Sequence, residues 1–323
     1  MADAAHEWTD EKIGEIERRL SRIYGRAEKD VGKKWRAYMD EIGARVDDAQ
    51  KAYDAAKAAG DRELMRSTGR ALSQTKKELT ITDAHYRELT RTTAEEISRV
   101  NQTAAAYVNG QLPEVYARNY NYVASGVSDQ LRGYSFELVD ASTVRNLAMS
   151  DRTLLPYKTI DTVKDVRWNV QKVNSEVLQG ILSGDSMDKI ADRLSSVLGM
   201  NETSAIRNAR TSVTSAENKG RMDMMEEAEE KGVHVQKKWI ATNDDRTRES
   251  HAELDGQTVD QDEEFDNGLQ YPGDPNGDPE EVYNCRCTLG YKVVSFARIR
   301  IREPERSQAQ MTADGKIVLT RGR

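Results

Sequence analysis

The sequence predicts a mainly α-helical protein with a small α+β domain toward the C-terminus and a long antiparallel helical hairpin at the N-terminus. Three observations carry this. Apolar residues recur in steps of three and four over most of the first hundred positions, which is the period of one helix face. Charged residues make up 32% of the chain and aromatics only 6%, with a mean hydropathy of -0.78, a balance that suits long two-sided helices better than one large core. Strict apolar alternation, the strand period, is confined to two short stretches at 233–241 and 287–293.

The 323 residues suffice for two domains. Thr9 can cap a helix whose stripe runs through Ile13, Ile16, Leu20, Ile23, Ala27, Val31, Trp35, Tyr38, Ile42, Val46, Ala49 and Tyr53, a length of roughly 70 Å. Gly14, Gly25, Gly32 and Gly43 weaken it, so it needs a partner helix. After a turn at Gly60-Asp61 the pattern repeats through Leu64, Leu72, Leu79, Tyr86, Leu89, Ile97, Val100 and Tyr107, which makes an antiparallel hairpin the natural pairing. Pro113 is expected to end that second helix and open a third, which carries Val115, Tyr116, Tyr120 and Val123. The outer faces mix both signs of charge and read as solvated surface, not as a nucleic-acid stripe.

This helical arm is placed at 1–125, and the looser Ser-, Gly- and Asp-containing segment 126–156 is read as a linker. The C-terminal domain is placed at 157–297. Its first helix runs from Val166 to Leu182 and is closed by Gly184; a second is capped by Asp185 or Ser186 and closed by Gly199; a third runs from Thr203 to Lys231. Two helices around a tight turn suggest a DNA-binding module, but Lys189 and Arg193 have Asp188 and Asp192 beside them, a poor set for phosphate or base contacts. The two alternating stretches are expected to pair antiparallel, with a long loop between them that must be functional or internally braced.

That loop concentrates the unusual chemistry. It holds both cysteines of the chain, Cys285 and Cys287, together with His251 and a dense run of carboxylates. Two cysteines one residue apart in a strand point to the same face. With His251 and Asp245, or Asp244, they form a tetrahedral set suited to Zn²⁺, which would order a polar loop. Against this, C-x-C is a rarer zinc spacing than C-x-x-C. The alternative is that the thiols pack as small hydrophobes, His251 hydrogen-bonds within the loop, and Arg246 and Arg248 supply countercharge. A calcium loop at Asp274, Asn276, Asp278 and Glu280 fails the usual template, because the glycine is misplaced and Pro275 and Pro279 stiffen the turn. A metal-dependent enzyme built on His251, Cys285 and Cys287 is the other reading of the segment, although no phosphate loop, nucleophile elbow or dinucleotide fingerprint accompanies it.

The order of short motifs here resembles the phage head morphogenesis family, the Mu F-like minor head proteins of tailed bacteriophages. The residues that carry the resemblance are Asp244-Asp245-Arg246-Thr247-Arg248, His251, Leu254-Asp255-Gly256, Phe265, Tyr271-Pro272-Gly273-Asp274-Pro275 and Asn284-Cys285-Arg286-Cys287. Upstream it extends through Gly180-Ile181-Leu182-Ser183-Gly184 and Ala209-Arg210-Thr211 to Lys238-Trp239. The resemblance implies a minor head protein acting in procapsid assembly at or near the portal. Its partners would be the portal protein and other head proteins, its place the virion head interior, or the host cytoplasm during assembly, and packaged double-stranded DNA a further contact.

The net charge of -7 argues against a basic surface over the whole molecule. No apolar run is long enough to span a bilayer, and the first twenty residues lack the apolar core of a signal peptide, so no membrane partner is expected. The tail at 298–323 switches sign, with Arg298, Arg300, Arg302, Arg306, Lys316, Arg321 and Arg323 outnumbering its acids. It is expected to be disordered, or else a tether to DNA or to an acidic surface.

Overall fold

The computed structural model describes residues 3–80, 84–131, 134–296, 307–311 and 317–321. Asp3 starts the fold by accepting hydrogen bonds from the backbone amides of Ala5 and His6, which caps α1 (Ala4–Ala58). The chain turns at Gly60, whose φ of 69° suits a residue without a side chain, into α2 (Arg62–Thr80), followed by α3 (Ala84–Gln130). Helices α4 (Ala141–Ser150), α5 (Thr162–Leu182) and α6 (Met187–Glu230) complete the helical part.

The expected hairpin is present, and its pairing can be read from side chains. Going up α1, Thr9 meets Asn119, Tyr24 meets Asn101, Trp35 meets Thr93 and Tyr53 packs over Gly69. Partner numbers fall as α1 rises, so α1 runs antiparallel to α3 and α2 along its length. The apolar stripe explains the fit, since Ile16, Leu20, Tyr24, Val31, Trp35 and Met39 are all buried. Trp35 has no exposed surface, and its indole N–H donates to Thr93 Oγ1 at 3.0 Å.

Helix α6 adds a third member to this layer. It is antiparallel to α1, through Glu17 with Arg210 and Ser21 with Glu202. It is parallel to α3, through Asn101 with Asn201 and Tyr116 with Asp223. The parallel pair comes very close at Gly220, where a Cβ would sit 2.5 Å from the Tyr116 carbonyl oxygen.

In three places tertiary packing overrides the local signals. Pro113 does not end a helix: α3 continues through it to Gln130, with Leu112, Pro113 and Val115 buried. A proline inside a helix costs about 3 kcal/mol, and burial of this face outweighs that. Gly199 closes nothing either, since α6 is one helix from Met187 to Glu230 with Ile190, Leu194, Val197 and Leu198 fully packed. The segment 126–156, read as a linker, is packed instead. Val127, Leu131, Tyr134, Phe136, Val144, Ala148 and Leu155 are buried, and one apolar core runs from α1 through the C-terminal strands. Asn121 fastens this segment by exchanging two hydrogen bonds with the Val139 backbone, at 2.8 and 2.9 Å. Asn109 does the same with Lys158.

The two predicted strands pair as expected. β1 (Val233–Ile240) is central, flanked antiparallel by β2 (Thr258–Asp260) and β3 (Thr288–Phe296), with Trp239 opposite Leu289. Val233, Val235, Lys237 and Trp239 form its buried face, and the sheet lies against α6. Two short helices, α7 (Glu249–Glu253) and α8 (Pro279–Val282), sit in the connection between β1 and β3. In the tail expected to be disordered, β4 (Ser307–Met311) and β5 (Ile317–Arg321) pair antiparallel, and the rest of that tail lies outside the described residues. Among the described residues no helix is long and apolar enough to cross a membrane.

Candidate functional site

The long connection between β1 and β3 is braced from within and from α6. Immediately after β1, the Asp255 carboxylate accepts from the Ala241 amide at 3.0 Å and from Asn243 Nδ2 at 2.8 Å, which draws the chain back on itself. Asn243 adopts a φ of 55°, a conformation asparagine tolerates better than most residues. Arg286 then grips Asp244 with two parallel hydrogen bonds, both 2.6 Å, and this pairing holds the Asp244 carboxyl well below the usual carboxylate range. The countercharge expected from Arg246 and Arg248 is arranged differently. Arg246 reaches Asp244 only at 3.8 Å, while Arg248 donates to the Tyr283 carbonyl.

The loop also buries more apolar surface than its composition suggests. Leu254, Phe265, Leu269, Tyr271 and Val282 are buried. Trp239 anchors them, meeting the Phe265 ring edge-on at 5.1 Å and the His251 ring at 5.2 Å. Two of the four residues in the calcium-like run use their carboxylates on the backbone. Asp274 accepts from the amides of Gln270 and Asn276, and Asp278 caps α8.

His251 lies on α7, and Cys285 and Cys287 lie on the extended run that leads into β3. The structure brings these three together. His251 Nδ1 is 3.6 Å from Cys285 Sγ and 3.5 Å from Cys287 Sγ, and the three donor atoms are all within 4.8 Å of one another. Their relative exposures are 1%, 1% and 2%, so the cluster is closed to bulk solvent. Hydrogen bonding between the two sulfurs pushes the Cys287 thiol down and the Cys285 thiol up, with His251 adding to the drop at Cys287. Asp245, the fourth member of the expected set, is exposed and stays outside the cluster.

Sequence reasoning missed two groups that organise the site. Glu281 places Oε2 2.8 Å from His251 Nε2, although without the direction a hydrogen bond needs. Ser250 in turn donates to both Glu281 oxygens, at 3.1 and 3.0 Å. On α6, Thr214 donates to the Cys285 carbonyl at 2.8 Å, and Asn218 donates to the carbonyls of Cys287 and Pro272 and accepts from the Leu289 amide. The available signal was the polar set Arg210, Thr214, Asn218 and Arg221, spaced by three or four along a helix whose Ala209, Val213 and Ala216 face the core.

Residues 171–290, which run from α5 through α6 and the loop with His251, Cys285 and Cys287 into β3, match the family model described as Phage Mu protein F like protein. Over that region the chain is similar to the phage head morphogenesis family. It is 26% identical to the minor head protein GP7 of Bacillus phage SPP1 over 302 residues, which is 90% of this chain and 91% of that protein. It is also 37% identical over 120 residues to the NAD(+)--arginine ADP-ribosyltransferase EFV of Enterococcus faecalis. That stretch is 36% of this chain but only 25% of the transferase. No solved structure matches.

Proposed function

We propose that the chain is a minor head protein that acts in procapsid assembly at or near the portal, in the interior of the virion head. The observation that carries this reading is the extent of the likeness to the phage SPP1 protein, which covers 90% of the chain and so includes the helical arm as well as the Mu F-like domain. The architecture is suited to a docking role. The far end of the α1–α2 hairpin presents Arg62, Arg66 and Arg70 on one exposed face of α2, four residues apart, beside Tyr53 and Met65, and such a ridge complements an acidic protein surface.

The test is incorporation. The protein co-expressed with portal and major head proteins should purify with procapsids in a few copies. Charge reversal at Arg62, Arg66 and Arg70 together should lower that incorporation at least tenfold while leaving the helical circular dichroism unchanged. Full incorporation of the triple variant would move the docking surface elsewhere, and absence of the wild-type chain from procapsids would overturn the assembly role. Contact with packaged double-stranded DNA belongs to the same proposal and rests on the basic residues after position 298. Truncation there should weaken DNA binding and flatten its salt dependence.

A further inference from the structure

The His251, Cys285 and Cys287 cluster has the dimensions of a metal site. Zinc bound to sulfur at about 2.3 Å and to imidazole nitrogen at about 2.0–2.1 Å, with tetrahedral angles, sets the sulfur–nitrogen edge at about 3.6 Å. The two edges found are 3.6 and 3.5 Å. A thiol–imidazole hydrogen bond explains one such distance but not two, because Nδ1 carries either one proton or one lone pair and cannot serve both sulfurs equally. A cation among the three serves all of them.

The surroundings are built for the same end. The Cys285-Arg286-Cys287 spacing sends both sulfurs to one side and Arg286 to the other, where Asp244 holds it. Thr214 and Asn218 fix the carbonyls of both cysteines from α6. On the far side of the imidazole, Glu281 stands 2.8 Å from Nε2 and is itself held by Ser250. A carboxylate there favours the tautomer with its proton on Nε2, which leaves the Nδ1 lone pair facing the sulfurs. It is the outer partner that metal-bound histidines commonly have.

We propose that His251 Nδ1, Cys285 Sγ and Cys287 Sγ bind one Zn²⁺, with Glu281 orienting the imidazole from outside the coordination sphere. Both thiols lose their protons to solvent on binding. The two thiolates then neutralise the dication, which is the charge balance a buried site requires. Sulfur donors select zinc over magnesium or calcium. Among the described residues no fourth His, Cys, Asp or Glu has a donor atom within 4.8 Å of all three, so these residue types supply three of the four corners. The ion would tie α7 to the start of β3 and so close the loop between the sheet strands.

The experiment uses the full chain purified without chelator, with metal measured by plasma emission spectroscopy. The expected result is one zinc per chain, and replacement by Co²⁺ should give the intense visible bands of a tetrahedral site together with thiolate-to-cobalt charge transfer. Cys285→Ser and Cys287→Ser should each lose the metal. Glu281→Gln should keep one site but weaken zinc binding roughly ten- to a hundredfold, and Asp245→Ala should bind as the wild type does. Should the cysteine variants fail to fold, the cobalt spectrum of the wild-type chain still decides. Less than a tenth of an equivalent of zinc, with no charge-transfer band after cobalt addition, overturns the proposal.

Discussion

Arg221, in the last quarter of α6, grips the Asp3 carboxylate with Nη1 to Oδ2 at 2.6 Å and Nη2 to Oδ1 at 2.9 Å, and the arginine has no exposed surface. The same guanidinium donates to Asn119 Oδ1 on α3 and to the Leu289 carbonyl on β3, and stacks over Tyr122. One side chain thereby joins the N-terminal cap, the long helices and the sheet. Four of its five N–H donors are hydrogen-bonded, and the buried Glu217 carboxylate stands 3.5 Å from Nη2. Such a buried network is worth little net stability while intact, but removing the member that leaves a buried charge unpaired is costly. Arg221→Met is therefore expected to cost about 3–5 kcal/mol, because it strands the buried Glu217 carboxylate and the Leu289 carbonyl, whereas Asp3→Ala should cost less because Glu217 still faces the guanidinium. Urea unfolding of the two variants measures the difference. Equal losses would mean that Glu217 does not compensate the arginine once Asp3 is gone.

His6 reaches the same cluster, with Nδ1 2.8 Å from the buried Glu217 carboxylate. Burial works against the charged ring, but the charge and hydrogen bond of Glu217 outweigh it, so the His6 pKa is raised above 6.5. The folded state thus holds this proton more tightly than the unfolded chain does. The resulting stability is fully present below about pH 6.5 and is lost as pH rises through the folded value. The wild type should lose stability between pH 6 and pH 8 relative to His6→Asn, as followed by urea midpoints. Parallel curves for the two proteins would refute the linkage.

Gly220 marks the closest approach of α3 and α6, and the atom opposing it is backbone, which cannot swing aside. Gly220→Ala would raise helix propensity in isolation, yet here it should destabilise by about 1–3 kcal/mol by forcing the helices apart. Thermal unfolding gives the sign directly. A higher melting temperature for Gly220→Ala would show that the two helices separate at no cost.

Much of this architecture was legible in the sequence, and the reason lies in period. The stripe from Ile16 to Met39 repeats often enough to fix both the helix and its buried face, and the alternation at Val233, Val235, Lys237 and Trp239 fixes a strand and its inward side. Punctuation was less informative than periodicity. Pro113 and Gly199 are strong local signals, but each costs only what a few buried side chains return, so packing decided against them. At the site, His251, Cys285 and Cys287 were singled out by residue type. Glu281 was not, because its placement depends on how α8 folds back onto α7 and on the hydroxyl of Ser250. Asp245 was named, with Asp244 as the alternative, as the fourth ligand. The turn that lets Arg286 take Asp244 leaves Asp245 facing solvent.

Lys237 offers the sharpest pH test of the sheet. It lies on the inward face of β1 with no exposed surface, its ammonium donating to Gln270 Oε1 at 2.7 Å and resting 5.5 Å from the centre of the Phe265 ring. Burial pushes its pKa down to about 8, against the pull of Asp262, Asp274, Glu226 and Glu264. A base whose pKa is lower in the folded state penalises folding wherever it is charged in both states. That penalty is complete below about pH 8 and is relieved as pH rises toward 10.5, where the unfolded chain also gives up its proton. Relative to Lys237→Met, which keeps the length of the stem without the charge, the wild type should therefore gain stability between pH 7.5 and pH 10. At pH 7 the methionine variant should be the more stable protein by roughly 1–3 kcal/mol. Chemical unfolding across this range reads both effects. If Lys237→Met is less stable at every pH, the bond to Gln270 and the contact with Phe265 outweigh the cost of burying the ammonium.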